Sequence, residues 1–282
     1  MTPSQPMHPF EEDPRGLMGH ISRLLHEKSL EGSFFPRGIS ASLNTSAVLF
    51  LLSTGCPHGP GGNKPCLVLN KRSAMVRQPG DLCFPGGSVS PRLDTHFSRI
   101  LRLPFFPLGR WPHWRAWRNG KKREARRLSL LLAASLRESF EEMRLNPLGV
   151  KFLGPLPPQS LEMFNRVIYP MVGWLGSQRR FLPNWEVDKI VTIPLFDLLD
   201  ESRYGCYRLS FDMGRGGADG GNTQEFLCFI HRQDGEQDVL WGATFRIILV
   251  FMEMIFGFRP PDARDLPVVY RSLGDNYLSG ER

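Results

Sequence analysis

The sequence predicts an α/β fold, an α/β/α sandwich with a mixed β-sheet. Two short apolar runs, at 47–52 and 66–70, have the length and composition of buried strands. A glycine-rich loop and then a long helix, from about 124 to 145, follow them, and later segments alternate or run apolar again. Strands, a glycine loop, a helix and further strands, in this order, are typical of a mixed sheet with helices on its faces.

The remaining segments complete this prediction. The first 15 residues are rich in proline and polar side chains, which is typical of a loose tail. Apolar residues at helical spacing predict an amphipathic helix over 16–30. We expect three core strands at 151–156, 166–175 and 187–193, and a buried helix at 241–258.

Length and composition indicate one globular domain. With 282 residues, of which 41% are hydrophobic, the chain can bury one substantial core. We expect a tail and helix over 1–30, the main domain over 31–258 and a C-terminal tail over 259–282. Five cysteines without a close metal-type pair, and no apolar leader at the start, favour reduced thiols and a cytoplasmic protein.

The positive charge of the chain is concentrated in one segment. The net charge is +7 overall, but residues 95–127 hold ten Lys or Arg and one Glu, a net +9 that leaves −2 elsewhere. Trp111, Trp114 and Trp117 lie among these basic residues, and prolines at 104, 107 and 112 argue against one continuous helix. Such a segment suits nucleic acid, an anionic surface or a protein partner; alternatively, it is a basic solvated loop whose tryptophans pack on the domain.

Three carboxylates share one face of the long helix. Glu138, Glu141 and Glu142 are spaced so that they point the same way. Crowded like charges raise one another's proton affinity unless a cation neutralises them, and oxygen donors suit Mg²⁺ or Mn²⁺. By themselves these residues favour a solvated acidic face, and a segment upstream changes that interpretation.

The upstream segment carries groups that bind phosphate. Arg72, Ser73 and Arg77 precede Gly86 and Gly87, which end a Phe-Pro-Gly-Gly run. Arginines meet phosphate oxygens in a forked geometry, and glycines let the backbone approach a diphosphate closely. The alternative is a pair of solvated surface arginines beside a turn.

Together, the two segments resemble the two halves of a Nudix box. In that family a glycine-rich loop leads into a helix with an Arg-Glu-x-x-Glu-Glu motif, which matches Arg137, Glu138, Glu141 and Glu142 here. The Arg-Ser pair, second arginine and glycine before Phe-Pro-Gly-Gly are similar to the signature of the coenzyme A diphosphatase branch. The resemblance covers about residues 45–257.

The resemblance implies a Nudix-type fold and hydrolysis of the diphosphate bond of coenzyme A or a derivative, with Mg²⁺ or Mn²⁺. Glu138, Glu141 and Glu142 would hold the metal, and Arg137 would orient Glu138. Glu142 or Glu186 would accept the proton of the attacking water, although Glu186 equally suits an exposed loop carboxylate. The substrate-binding set would be Arg72, Ser73, Arg77, Gly86 and Gly87.

The chain departs from the family pattern within the box. Gly87 and Arg137 are 50 residues apart, much further than in the family, so about 36 residues are inserted, roughly over 95–128. Asp94 lies near the position of the family's first acidic residue. Arg144 replaces the glycine that follows the glutamate pair, which predicts a different helix exit.

Two other functions fit the same residues. One is a Nudix hydrolase that acts on another nucleoside diphosphate, such as ADP-ribose. The other is a non-catalytic binding protein that keeps the fold and uses the basic segment. The acidic set favours catalysis, because it costs stability without a cation. A glycine-rich run at 212–223 lacks the pattern of a phosphate loop and predicts a flexible hairpin linker.

Overall fold

A computed structural model describes residues 8–32, 34–35, 45–55, 64–161, 166–211, 223–273 and 277. The α-helices are α1 (Pro14–Leu30), α2 (Pro91–Ile100), α3 (Trp114–Gly120), α4 (Lys122–Met143) and α5 (Gly242–Phe256). The strands are β1 (Thr45–Thr54), β2 (Pro65–Arg72), β3 (Leu82–Cys83), β4 (Gly86–Ser88), β5 (Val150–Pro155), β6 (Gln159–Leu161), β7 (Arg166–Leu175), β8 (Val187–Pro194), β9 (Tyr204–Phe211), β10 (Thr223–Gln233), β11 (Glu236–Leu240) and β12 (Val268–Leu273).

A mixed sheet forms the centre of the fold, as predicted. Its order is β3-β2-β1-β7-β5, with β4 paired to β1, β6 to β7 and β8 to β2. The pair β1 and β7 is parallel, with Leu49 opposite Met171, whereas β2, β4 and β5 pair antiparallel with their neighbours. The five strands and three helices predicted from apolar patterning are confirmed as β1, β2, β5, β7, β8, α1, α4 and α5.

Helices cover both faces of this sheet. Side chains alternate along β1, so that Phe50 and Leu52 join the core beneath α1 and α5, while Leu49 and Leu51 join the core beneath α4. The apolar face of α1 is fully buried in the first of these cores. The fold is therefore a mixed α/β sandwich.

A second sheet has the order β11-β10-β9-β12. The prediction of a C-terminal tail over 259–282 misses β12, which pairs parallel with β9. This edge strand is short and partly exposed, so its apolar signal in the sequence is weak. Residues 212–222 lie outside the described residues, but Ser210 pairs with Thr223, so the strands that flank the predicted linker do form an antiparallel pair.

The tryptophans of the basic segment belong to the core. Trp111, Trp114 and Trp117 are 2%, 6% and 2% exposed. The indole N–H of Trp111 donates to the carbonyl of Leu153 at 3.0 Å, and its ring lies 5.0 Å from that of Phe152. The interpretation that these tryptophans pack on the domain is confirmed, and the hypothesis that they contact an external partner is wrong. The break expected at the prolines is confirmed by the gap between α2 and α3.

Across the described ranges, no helix is long and apolar enough to span a membrane. Cys83, Cys206 and Cys228 are free thiols, and Cys56 lies outside the described residues.

Candidate active site

Strand β4 lies between β1 and α4, and its two glycines make this close packing feasible. Gly86 pairs with Val48 and Gly87 with Ala47. Gly86 has a φ of 147°, and a Cβ there would lie 2.4 Å from the carbonyl oxygen of Ala47. A Cβ on Gly87 would lie 2.6 Å from the carboxylate carbon of Glu138. The absence of side chains thus brings the Phe-Pro-Gly-Gly loop against the glutamates of α4.

Arg137 organises the acidic face of α4. Its Nε donates to Oδ1 of Asp94 at 2.8 Å, and its Nη2 donates to the carbonyl of Ser88 at 3.0 Å. Nη2 also lies 3.1 Å from Oε1 of Glu138, and Nη1 donates to both carboxylate oxygens of Glu141 at 3.2 Å. Arg137 therefore orients Glu138, and it draws Glu141 toward itself at the exposed rim.

Glu142 is the most enclosed of the three glutamates. Its Oε2 accepts hydrogen bonds from Nδ2 of Asn70 at 2.8 Å and from the amide of Gly86 at 3.2 Å. Burial raises the pKa of Glu142 to about 8, and the charges of Glu138 and Glu186 act in the same direction, whereas the Gly86 amide favours the ionised form. A cation beside Glu142 would stabilise its charged state.

Asn70 is a site residue that the sequence reasoning missed. It is 1% exposed, at the end of β2, and its Oδ1 is buried without a hydrogen-bond partner among the described residues. A polar residue inside an otherwise apolar strand was the available signal. Its contact with Glu142 depends on the pairing of elements far apart in sequence, which no local pattern shows.

The loop before β8 brings Glu186 to the end of α4. The amides of Leu182 and Asn184 donate to the carbonyls of Met143 and Glu142, at 3.0 and 2.7 Å. These are carbonyls that the end of a helix leaves without intrahelical partners. The amide of Glu186 in turn donates to Oδ1 of Asn184 at 2.9 Å. The loop is thereby fastened to α4, and the charge of Glu186 acts on Glu142.

The different helix exit predicted at Arg144 is wrong. Arg144 has a φ of 55° in the left-handed region, the conformation that a glycine would adopt there most easily. Its amide donates to the carbonyl of Phe140 at 3.0 Å, and the amide of Leu145 donates to Ser139 at 3.4 Å. The guanidinium lies 5.1 Å from the ring centre of Phe140, which offsets part of the backbone strain.

Arg72 is the last residue of β2, and Ser73 and Arg77 lie on the loop that joins β2 to β3. The Nε of Arg72 donates to the carbonyl of Arg77 at 2.6 Å, and the charge of Arg72 favours the ionised form of Glu142. The hydroxyl of Ser73 donates to the carbonyl of Trp185 at 2.8 Å, so Ser73 joins this loop to the one that carries Glu186.

The donors at this site suit a hard divalent cation. The charges of Glu138 and Glu186 act on Glu142, and Asn70, which donates to Glu142, has a buried amide oxygen without a partner among the described residues. The convergence of three glutamates predicted from helical spacing is incomplete, because Glu141 turns to Arg137. Among the described residues, no three His, Cys, Asp or Glu side chains form a ready-made ion cluster.

The chain is similar in sequence to bacterial proteins of the name NudL. No family model matches the chain. An uncharacterized Nudix hydrolase NudL of Pectobacterium atrosepticum is 29% identical over 187 residues, which are 65% of this chain and 72% of that protein. The NudL of Photorhabdus laumondii is 27% identical over 187 residues, 66% of this chain and 74% of that protein.

Solved Nudix structures also align, at low similarity. A MutT/nudix family protein from Enterococcus faecalis aligns with a TM-score of 0.37 and 11% identity, over 90% of this chain and 76% of that one. A Nudix hydrolase from M. smegmatis, RenU, aligns with a TM-score of 0.34 and 12% identity, over 56% of this chain and 74% of that one. These values are too low to bear on chemistry. The chain is thus similar, over about two thirds of its length, to two proteins that are named as uncharacterized Nudix hydrolases.

Proposed function

We propose that this protein hydrolyses the diphosphate bond of coenzyme A or a derivative, in a reaction that depends on Mg²⁺ or Mn²⁺. The observation that carries the proposal is the position of Glu142. Its carboxyl group is enclosed by Asn70 and the Gly86 amide and faces the charges of Glu138 and Glu186. Ionisation of a carboxyl group in these surroundings costs free energy, and a bound cation would offset that cost. A perturbed carboxyl group of this kind therefore fits a site that binds a cation and a diphosphate.

Each residue has a defined task in this proposal. Glu138 and Glu142, with Glu141 at the rim, would hold the metal ion, which when bound neutralises diphosphate charge and activates water. Arg137 keeps Glu138 in place through their 3.1 Å contact. Glu186 or Glu142 accepts the proton of the attacking water; the loop fastened to α4 holds Glu186 in reach of this role. Arg72 and Arg77 hold substrate phosphates, and Ser73 positions their loop.

The free thiols of Cys83, Cys206 and Cys228 support the predicted reducing, cytoplasmic setting.

The test is hydrolysis of a diphosphate panel with and without Mg²⁺ or Mn²⁺. Glu142→Gln keeps the size of the side chain but removes its charge, and we expect turnover of coenzyme A to fall by at least about a hundredfold. The matched control is Glu253→Gln, because Glu253 is an exposed glutamate on α5. Equal turnover in both variants at saturating metal would refute the proposed site.

The alternative substrate class is another nucleoside diphosphate, such as ADP-ribose. If Arg77 binds a phosphate specific to coenzyme A, then Arg77→Ala should lower kcat/KM for coenzyme A by about ten- to a hundredfold and spare ADP-ribose. Equal losses on both substrates would favour the alternative. No turnover of any diphosphate would favour a non-catalytic binding protein.

A further inference from the structure

An apolar strip is exposed along α2 and the turns that follow it. Leu93 and Ile100 are 62% and 43% exposed, and Leu103 and Phe105 are 51% and 83% exposed. Leu93 and Ile100 are seven residues apart and share a helix face. The amide of Leu103 donates to the carbonyl of Ile100 at 3.0 Å, which keeps the turn directly beside the helix. Exposed apolar side chains in such a group mark an interaction site.

The strip lies on the solvent-exposed side of α2. On the opposite side of α2, Asp94 and Ser98 are buried against α4. Phe97 packs against the core beneath α4 from the buried side of α2, whereas Leu93 and Ile100 stay exposed.

Three arginines adjoin the strip without acidic partners. Arg99 is on α2, Arg102 follows it and Arg126 is on α4. Burial lowers the pKa of Arg102, and the nearby charges of Arg126 and Arg99 lower it further. Its Nε is buried without a hydrogen-bond partner in the part of the chain that is described. Within those same residues, the ion pairs formed on α2 and α4 involve other basic residues.

We define the apolar-basic surface as Leu93, Ile100, Leu103 and Phe105 together with Arg99, Arg102 and Arg126. We propose that this surface docks the protein on an anionic phospholipid bilayer. The apolar side chains would enter the headgroup region while the arginines bond to lipid phosphates. Charge complementarity supports this partner, since residues 95–127 carry a net +9.

A bilayer fits this surface better than a nucleic acid does. Single strands are held by stacking on a series of aromatic rings, but Trp111, Trp114 and Trp117 are buried in the core, and Phe105 is the one aromatic residue of this surface. Leu93, Ile100 and Leu103 are aliphatic, and such side chains gain by entering an apolar phase but have no stacking face. The inference does not depend on the diphosphatase activity.

The test is sedimentation of the full chain with vesicles at about 0.1 M salt, where exposed charges still interact over about 10 Å. One set contains phosphatidylserine and the other phosphatidylcholine alone. The apolar variant is Leu103→Ser with Phe105→Ser, and the charge variant is Arg99→Glu with Arg126→Glu. Matched controls are Leu182→Ser with Tyr270→Ser, and Arg232→Glu with Arg259→Glu, all at exposed positions.

We expect the intact protein to bind only the vesicles with phosphatidylserine. The apolar variant and the charge variant should each bind these vesicles about tenfold more weakly or worse, and the affinity of each control should stay within about twofold of that of the intact protein. If the apolar variant unfolds on heating earlier than its control, Phe105→Ser alone replaces it. The proposal is overturned if the intact protein does not bind anionic vesicles, if the apolar variant binds as its control does, or if a single-stranded oligonucleotide is retained while vesicles are not.

Discussion

Arg137 donates from Nε to Oδ1 of Asp94 at 2.8 Å, which joins α4 to α2 across 43 residues of sequence. Asp94 is fully buried, so its removal leaves a guanidinium in a desolvated position without its main counter-charge. We predict that Asp94→Ala lowers the free energy of unfolding by about 3 kcal/mol, as measured by urea denaturation.

The control for this prediction is the exposed pair Arg23 and Glu27 on α1, 3.1 Å apart. Glu27→Ala should cost less than about 0.5 kcal/mol, since water screens exposed ion pairs. A loss no larger for Asp94→Ala than for Glu27→Ala would contradict the structural role of Asp94.

Arg271 on β12 anchors the loop that carries the proposed phosphate-binding arginines. Its Nη1 donates to Oδ1 of Asp81 at 2.8 Å and its Nη2 to the carbonyl of Pro79 at 2.9 Å, while the hydroxyl of Tyr277 donates to Asp81 as well. We predict that Arg271→Ala raises KM for the diphosphate substrate about tenfold with little change in kcat, because the loop loosens while the glutamates stay in place.

Arg208→Ala on the adjacent strand β9 is the control, since Arg208 forms an ion pair with Glu225 and no described contact with the loop. The measurement is the kcat and KM of Arg271→Ala and Arg208→Ala, determined by steady-state kinetics below the melting temperatures of both variants. A fall in kcat at constant KM in Arg271→Ala would argue against a positioning role.

Trp111 should contribute strongly to stability. It is nearly fully buried and its indole N–H is hydrogen-bonded to Leu153. We predict that Trp111→Ala costs about 3–5 kcal/mol and that deletion of residues 95–127 unfolds the domain. Phe105→Ala, at an exposed position of the same segment, should change stability by less than about 0.5 kcal/mol. A folded deletion variant, detected by circular dichroism, would contradict this prediction.

Arg144→Gly should stabilise the protein. The left-handed backbone at Arg144 costs about 1 kcal/mol for a residue with a side chain, and glycine removes this cost. Loss of the contact with Phe140 offsets part of the gain. Arg144→Ala is the matched variant, since it keeps the strain and loses the contact. Thermal unfolding should rank glycine above alanine at this position, and the reverse order would contradict the argument.

His26 and His113 should make stability fall in mild acid. Their rings stack 3.9 Å apart, and Nδ1 of His26 accepts the indole N–H of Trp117, which requires a neutral ring. Burial lowers the pKa of both histidines, and Glu27 opposes this shift while Lys121 adds to it at His26. Below about pH 6.5 the unfolded chain binds protons first, so the stability present above that pH is lost as the pH falls.

The measurement is the melting temperature between about pH 7.5 and 5.5. His113→Phe keeps a stacked ring but removes one titrating group, so its melting temperature should fall less steeply. Burial also lowers the pKa of His231. This histidine is present in both proteins, so it affects the pH dependence of both melting temperatures in the same way. Parallel pH profiles would show that the stacked pair does not titrate as expected.

Elements whose signal is local can be predicted from the amino-acid sequence. Apolar runs were sufficient for β1 and β2, and helical spacing was sufficient for α4, because periodicity reports which face of an element is buried. The glutamates of α4 and the glycines at 86 and 87 were also identifiable, since the residue types and their order carry the chemistry.

Contacts between side chains that are distant in sequence are known only from the folded structure. The sequence around Trp111, Trp114 and Trp117 fits either a binding segment or a basic loop whose tryptophans pack on the domain, and the structure places the tryptophans in the core beneath α4. The position of Asp94 against Arg137, of Asn70 against Glu142 and of β12 beside β9 likewise depends on pairing across 43, 72 and about 60 residues. Such contacts form when whole helices and strands pack together. Their free energy depends on several distant segments at once, so no single segment of the sequence predicts them.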